Sequence, residues 1–187
     1  MAKKEAVEIL VILDRSGSMG SIRDEAIGGF NNFLSAQQAV KGAANLTLVL
    51  FDDQYEVPVA GVKLKDVQPL TTETFVPRGF TAMNDAIGKA LTELEAKNPK
   101  KAVICILTDG QENASKEFTQ EQIKAKVRLA EDKDWEVIFL AANIDAQQAA
   151  RGIGKLKSAG IDFSADAQGM AFAYNSMSAT TVAYRSQ

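Results

Sequence analysis

Residues 7–20 read Val-Glu-Ile-Leu-Val-Ile-Leu-Asp-Arg-Ser-Gly-Ser-Met-Gly, and the rest of the chain is interpreted from this stretch. The stretch 7–13 is apolar except for Glu8, and such a near-continuous apolar run is typical of a strand buried on both faces, as in a parallel sheet covered by helices. The run ends at Asp14, and two hydroxyl side chains follow at alternate positions, Ser16 and Ser18. Open α/β folds bind ligands at the carboxyl edge of the sheet. A carboxylate and two neutral oxygens at that edge therefore indicate a site for a divalent cation.

Length and composition are typical of one globular domain. The chain has 187 residues, of which 46% are hydrophobic and 24% charged, and we expect a single domain over 1–187. The net charge is −3 and no basic tract stands out, so a nucleic-acid surface is not supported. No apolar run approaches the roughly 20 residues of a membrane span, and no signal peptide precedes the first strand. We expect a protein with no membrane partner that is cytoplasmic, or virion-associated if phage-encoded, rather than secreted.

Histidine is absent, and Cys105 is the one cysteine. These counts exclude a Ser-His-Asp triad, imidazole metal ligands, an intrachain disulfide and a cysteine zinc site. Cys105 lies within the apolar run 102–107, where a small buried hydrophobic role is expected. The chain also lacks the glycine-rich phosphate-binding loops of nucleotide enzymes. We therefore do not expect an enzyme.

Strand and helix patterns alternate along the chain, which predicts a doubly wound, three-layer α/β domain. The sheet is expected to have six strands, mostly parallel, with one antiparallel edge strand that contains Pro58. Strands are predicted over 7–13, 46–51, 55–64, 102–107, 136–142 and 161–163. Helices are predicted over 22–40 with Ser21 as N-cap, from Thr81 to Asn98, and over 118–130, 145–150 and 170–184. The loop 66–80 is too long for a simple connection and is expected to be functional.

The carboxylates Asp14 and Asp109 follow two of the predicted strands. Because such residues lie at the same edge of a parallel sheet, these two side chains are expected to approach each other and to need a counter-charge. A divalent ion supplies that charge, and Ser16, Ser18 and Thr81 offer neutral oxygens to complete its shell. Few carboxylates and several waters favour Mg²⁺, with Mn²⁺ or Ca²⁺ as alternatives.

In their order along the chain, Asp14-x-Ser16-x-Ser18, Thr81 and Asp109 resemble the metal-ion-dependent adhesion site of von Willebrand factor type A domains, also called integrin I-type domains. The resemblance runs over nearly the whole chain. It implies that the three hydroxyls coordinate the ion directly and that the two carboxylates act through water. It also implies that an Asp or Glu of a partner protein fills the open coordination position.

The local sequences of residues 79–87 and 108–115 are similar to those of compact bacterial and phage members of this family. The resemblance predicts an Mg²⁺-dependent module that binds an acidic side chain of another protein. One alternative is a structural or assembly component of a phage or bacterial particle, in which the ion mainly orders the loops. A metal-dependent hydrolase is a further alternative, for which no general base is visible.

Five further residues are candidates for the rim of the site or for partner contacts: Arg15, Met19, Asp52, Asp85 and Glu112. Arg15 and Met19 lie inside the metal loop and are expected to expose their side chains. Asp85 is better explained as a first-turn acid favoured by the helix dipole. Asp52 is better explained as a turn residue than as part of the rim. Glu112 and its neighbour Asn113 either shape the rim or start the next connection.

Overall fold

The apolar run that follows Ala6 forms the central strand of a six-stranded sheet in the computed structural model, which describes residues 6–154 and 160–187. The strands follow the order β3-β2-β1-β4-β5-β6 across the sheet. Their bounds are β1 Val7–Asp14, β2 Ala44–Phe51, β3 Tyr55–Lys63, β4 Ala102–Thr108, β5 Glu136–Ala141 and β6 Ile161–Asp162. Only β3 runs antiparallel to its neighbour, and it lies at an edge. The predicted fold class is confirmed.

Helices cover both faces of this sheet. They are α1 Arg23–Ala39, α2 Met83–Lys97, α3 Gln120–Asp132, α4 Ala146–Gly152 and α5 Ala167–Arg185. Short 3₁₀ turns occur at Gly17–Ile22 and Leu64–Asp66. In the described parts of the chain, no helix is long and apolar enough to cross a membrane.

The side chains of the central strand β1 pack against helices on both faces of the sheet, which gives three layers. Its alternate residues Ile9, Val11 and Leu13 pack in one hydrophobic cluster with α1 and α5. Leu10 and Ile12 belong to the opposite cluster, together with residues of α2, α3 and α4. A strand that is buried on both faces in this way is apolar wherever helices cover it, which in β1 is the run 9–13. The first polar side chain after this run, Asp14, therefore emerges where the strand leaves the core.

Element boundaries differ from the prediction by one to three residues, and the differences next to the metal loop bear on the site. The predicted helix at 22–40 begins at Arg23, because the 3₁₀ turn Gly17–Ile22 runs directly into α1. Ser21 is not the N-cap: its Oγ donates to the carbonyl oxygen of Ser18 instead. Thr81 lies just before α2 rather than inside it.

The packing of α1 against α5 gives a direct test of the fold at two adjacent glycines. A Cβ atom at Gly29 would overlap the ring of Tyr174 on α5, whereas one at Gly28 would meet no atom within 4 Å. Tyr174 is buried and cannot move away freely. We expect Gly29→Ala to lower the free energy of unfolding by about 1–3 kcal/mol through overpacking. Gly28→Ala should raise it by up to about 1 kcal/mol through helix propensity.

Urea unfolding of the two variants and the wild type measures both effects. Equal changes in the two variants would contradict the observed contact between α1 and α5.

Candidate metal centre

Two neighbouring strands bring the predicted carboxylates to one edge of the sheet. β1 and β4 are paired with Leu13 opposite Leu107, so that Asp14 and Thr108 end their strands side by side. Thr108 Oγ1 donates to Asp14 Oδ2 at 2.6 Å, and the Ser16 N–H donates to Asp14 Oδ1 at 2.7 Å. Asp14 is fully buried, and each of its oxygens accepts one of these hydrogen bonds. Its carboxylate is therefore held in one orientation.

Hydroxyl oxygens from two other segments lie beside these carboxylates. Ser16 Oγ and Ser18 Oγ are 3.1 Å apart, and Ser18 Oγ donates to Asp109 Oδ1 at 2.6 Å. A Cβ atom built on Gly110 would lie 3.5 Å from Thr81 Oγ1 and 3.7 Å from Ser18 Oγ, so that both hydroxyls face this glycine. The structure thus brings the three separated segments of the predicted site together.

The electrostatics of the site favour a bound cation. Burial raises the pKa of Asp14 to about 6, although hydrogen bonds from Thr108 and Ser16 oppose the shift and the charge of Asp109 adds to it. Burial also raises the pKa of Asp109, against the hydrogen bond from Ser18. Within residues 6–154 and 160–187, neither carboxylate forms an ion pair with a Lys or Arg. Two buried carboxylates without a positive partner make the site complementary to a cation.

The chemistry of the donors fits a hard divalent cation. The site offers hydroxyl oxygens from Ser16, Ser18 and Thr81 and carboxylate oxygens from Asp14 and Asp109. In the described part of the chain, no cluster of three or more Asp, Glu, His or Cys side chains is arranged to hold a metal. An ion here would therefore have two carboxylates at most, which suits Mg²⁺ with retained waters better than a carboxylate-rich Ca²⁺ cage.

Two of the rim predictions are wrong about exposure. Met19 is completely buried in the cluster between the sheet and α1, because the 3₁₀ turn directs its side chain inward. Arg15 is only 4% exposed, and its guanidinium forms ion pairs with Asp52 and Glu56. Neither side chain is presented to solvent at the metal loop.

Asp52 is also buried, which agrees with the turn role rather than with an open rim. Its Oδ1 accepts the N–H of Gln54, and its Oδ2 contacts the guanidinium groups of Arg15 and Arg78. The carboxylate therefore serves two purposes: it closes the turn between β2 and β3, and it joins two arginines.

The carboxylates of Asp85 and Glu112 are occupied by backbone donors. Asp85 accepts the N–H groups of 116–118. Glu112 accepts the N–H of Asn84 at 2.7 Å, and its two oxygens accept the hydroxyl and the N–H of Ser115. Because α2 has no side-chain cap at its own N-cap residue, Glu112 satisfies one of its free N–H groups from another segment. Contact of Asp85 or Glu112 with a partner stays a prediction.

Two asparagines support the site: Asn113, which is considered with Glu112 as a rim residue, and Asn143, which the sequence did not single out. The Thr81 N–H donates to Asn113 Oδ1 at 2.9 Å, and the Asn113 N–H donates to the Thr81 carbonyl oxygen at 3.0 Å. Asn143 Nδ2 donates to the Asp109 carbonyl oxygen at 3.1 Å, from a residue with φ of 59°. Asn adopts the left-handed backbone region more often than most residues do. An Asn just after a strand is therefore the one local signal that could have drawn attention to Asn143.

Comparison with known families identifies the type of domain. A family model described as the von Willebrand factor type A domain matches residues 9–111, which include all five predicted metal-site residues. No similar sequence was found among curated proteins. The matched region is more than half of the chain, and the chain belongs to the von Willebrand factor type A domain family.

Solved structures share the fold at low sequence identity. The PilB minor pilin from Streptococcus sanguinis is 10% identical with a TM-score of 0.68, and the alignment covers 97% of this chain and 62% of that chain. The pilus adhesin SpaC from Lactobacillus rhamnosus GG, in its open conformation, is 16% identical with a TM-score of 0.73, over 95% of this chain and 30% of SpaC. The manganese-loaded Plasmodium vivax TRAP protein is 15% identical with a TM-score of 0.59, over 90% and 72% of the two chains.

This chain therefore spans less than two thirds of the length of PilB and SpaC. At these identities the likeness concerns the fold.

The buried carboxylate Asp14 predicts a pH dependence of stability in protein freed of divalent ions with EDTA. Its pKa of about 6 in the folded state lies above the ordinary value of 3.8, so the folded state binds the proton more tightly than the unfolded state does. The resulting stabilisation is complete below pH 3.8 and is lost as the pH rises through about 6. We expect the loss to be on the order of 3 kcal/mol, since one pKa unit corresponds to about 1.4 kcal/mol.

Other carboxylates also titrate in this range, so the measurement is the difference between wild type and Asp14→Asn in urea unfolding from about pH 4 to 6.5. The variant should lose less stability over this range. Asp24→Asn, on the exposed start of α1, is the control. Parallel curves for wild type and Asp14→Asn would contradict the assignment.

Proposed function

We propose that this domain binds a divalent cation, Mg²⁺ by preference, and uses it to bind an acidic side chain of a partner protein. Ser16, Ser18 and Thr81 would hold the ion directly, and Asp14 and Asp109 through water. The observation that carries the proposal is the 2.6 Å contact from Ser18 Oγ to Asp109 Oδ1. This contact joins the Asp-x-Ser-x-Ser loop to the end of β4, at the place where two carboxylates have no positive partner among the described residues.

The donor set explains why an acidic partner would be favoured. The three proposed direct ligands are neutral hydroxyls, and the two carboxylates would act through water, so the ion would have no anion in direct contact with it. A carboxylate from another protein would gain strongly at such an ion, and a neutral amide would gain much less. The bound ion supplies the charge for this interaction, and the residues of this chain orient and hold it.

Binding is proposed rather than catalysis. The chain has no histidine, and its one thiol, Cys105, is fully buried in β4, where burial raises its pKa to about 12. Both facts remove common nucleophiles and general bases from the neighbourhood of the ion. Metal-stimulated phosphatase turnover that Asp14→Ala abolishes would favour a hydrolase instead.

A second candidate function is an assembly component of a bacterial or phage particle, in which the ion mainly orders the loops. The observation in its favour is that the site residues already bond to one another across separate segments, so that an ion would stiffen that edge of the sheet. The solved structures of similar fold include a minor pilin and a pilus adhesin. Cytoplasmic or virion-associated location stays a prediction.

Removal of one metal-binding hydroxyl tests the cation site. We expect the wild type to bind one Mg²⁺ or Mn²⁺ ion in calorimetric titration, and Thr81→Ala to weaken binding by about tenfold or more because a direct ligand is lost. Thr92→Ala is the matched control, since its hydroxyl donates to the Gly88 carbonyl oxygen within α2, away from the site. Absence of binding by the wild type, or equal affinities of wild type and Thr81→Ala, would reject the site.

The partner class is tested by affinity capture from native lysate in Mg²⁺, with elution by EDTA and identification by mass spectrometry. A captured protein should lose binding when one of its own Asp or Glu residues is changed to Asn or Gln. Capture that is equal with Thr81→Ala, or that resists EDTA, would contradict recognition through the ion. Stabilisation by Mg²⁺ without any such acidic partner would favour the assembly role.

A further inference from the structure

Four charged residues form one ionic cluster beside the proposed cation site: Arg15, Asp52, Glu56 and Arg78. Asp52 Oδ2 lies 3.2 Å from Arg15 Nε and 2.8 Å from Arg78 Nε. Arg15 Nη1 donates to Glu56 Oε2 at 2.9 Å, and Arg15 Nη2 lies 2.8 Å from Glu56 Oε1 as an ion pair without hydrogen-bond geometry. Arg78 Nη2 donates to the same Oε1 at 2.8 Å. Each carboxylate thus bridges both arginines, and the cluster has no net charge.

The cluster joins the two segments that carry the metal-binding hydroxyls. Arg15 lies between Asp14 and Ser16, and Arg78 lies three residues before Thr81. The backbones of these segments also meet, because the Arg78 N–H donates to the Arg15 carbonyl oxygen at 2.9 Å. The side-chain cluster therefore spans the gap between the Asp-x-Ser-x-Ser loop and the Thr81 segment.

Thr81 needs such an anchor because its segment has no regular structure. Residues 67–82 form neither helix nor strand. Two backbone hydrogen bonds flank Thr81: Gly17 N–H to the Gly79 carbonyl oxygen at 3.1 Å, and Ala82 N–H to the Asp52 carbonyl oxygen at 2.9 Å. The first bond ends on Gly79, which follows Arg78, and the second ends on Asp52 of the cluster. A loop without regular backbone hydrogen bonding keeps one conformation only if such contacts offset the conformational entropy that is lost on ordering it.

Two members of the cluster are buried and two are partly exposed, so the exposed two can be mutated with less risk to folding. Asp52 is fully buried and the Arg15 side chain is 5% exposed, whereas the side chains of Arg78 and Glu56 are 44% and 49% exposed. Hydrogen bonds from Arg15 and then Arg78 lower the pKa of Glu56 to about 2, so it stays ionised at neutral and mildly acidic pH. Removal of Asp52 or Arg15 would strand a buried charge, which makes Arg78 the informative position.

We propose that Arg15, Asp52, Glu56 and Arg78 are positioning residues for the cation site, and that Arg78 sets the affinity for the ion by holding Thr81 against the Ser16–Ser18 hydroxyls. This inference rests on the proposed cation site. It predicts the opposite change in ion affinity to the one expected from the charge of Arg78 alone. Arg78 is a cation near a cation site, so by charge alone its removal would tighten binding of a divalent ion. As a positioning residue, its removal weakens binding.

The experiment titrates Mn²⁺ into wild type, Arg78→Gln, Arg78→Lys and Lys89→Gln by calorimetry. Lys89 is the matched control: it is a partly exposed cation in an ion pair with Glu117 at 2.8 Å, outside the cluster. Arg78→Gln should weaken Mn²⁺ binding by about tenfold, the usual cost of losing a group that orients a metal ligand. Arg78→Lys should recover only part of the loss, because an ammonium cannot reproduce the planar fork that reaches both carboxylates. Lys89→Gln should bind as tightly as wild type or slightly more tightly.

A second readout needs no metal. In EDTA, the amides of Gly17 and Ala82 should exchange with solvent faster in Arg78→Gln than in wild type, and at the wild-type rate in Lys89→Gln. Unchanged or tighter Mn²⁺ binding by Arg78→Gln overturns the proposal, whatever the exchange rates. If the wild type does not bind Mn²⁺, the proposed function fails. In that case, unchanged amide exchange in Arg78→Gln would show separately that the cluster does not hold the loop.

Discussion

The arrangement of this domain depends on two carboxylates that are buried at the ends of neighbouring parallel strands without a positive partner in the described chain. Asp14 and Asp109 follow the apolar runs 9–13 of β1 and 102–107 of β4, which are apolar because helices cover both faces of the sheet. Burial raises the pKa of both groups. The surrounding loops then supply hydroxyls and backbone N–H groups, which stabilise the charged forms without neutralising them.

The loops at this edge are ordered by polar side chains rather than by backbone ladders. Asp85 and Glu112 bind backbone N–H groups between α2 and the segment after β4. Asn113 forms a reciprocal pair of hydrogen bonds with Thr81. The ionic cluster performs the same task on the other side of Thr81. Each of these acidic and amide side chains connects two segments. Its removal would loosen a loop and would not create a cavity in the core.

The predictions that failed have two causes. Arg15 and Met19 are predicted to be exposed because they lie inside the metal loop. The 3₁₀ turn Gly17–Ile22 places Met19 in the core, and the carboxylates of Asp52 and Glu56 draw Arg15 inward. Those partners are 37 and 41 residues away along the chain, so no local pattern indicates them. Ser21 failed as an N-cap for a related reason, since the turn continues into α1.

The sequence by itself determined the fold class, the antiparallel edge strand containing Pro58, and the places of Asp14 and Asp109 at strand ends. Hydrophobic periodicity is a local property, and the end of an apolar run marks where a strand leaves the core. The tertiary structure alone decided which distant partners hold those residues: Thr108 on Asp14, Ser18 on Asp109, Asn113 on Thr81, and the Arg15–Asp52–Arg78–Glu56 cluster between the loops. Such contacts depend on the three-dimensional crossing of loops, and hydrogen bonds and ion pairs between residues far apart in sequence leave no periodic signal.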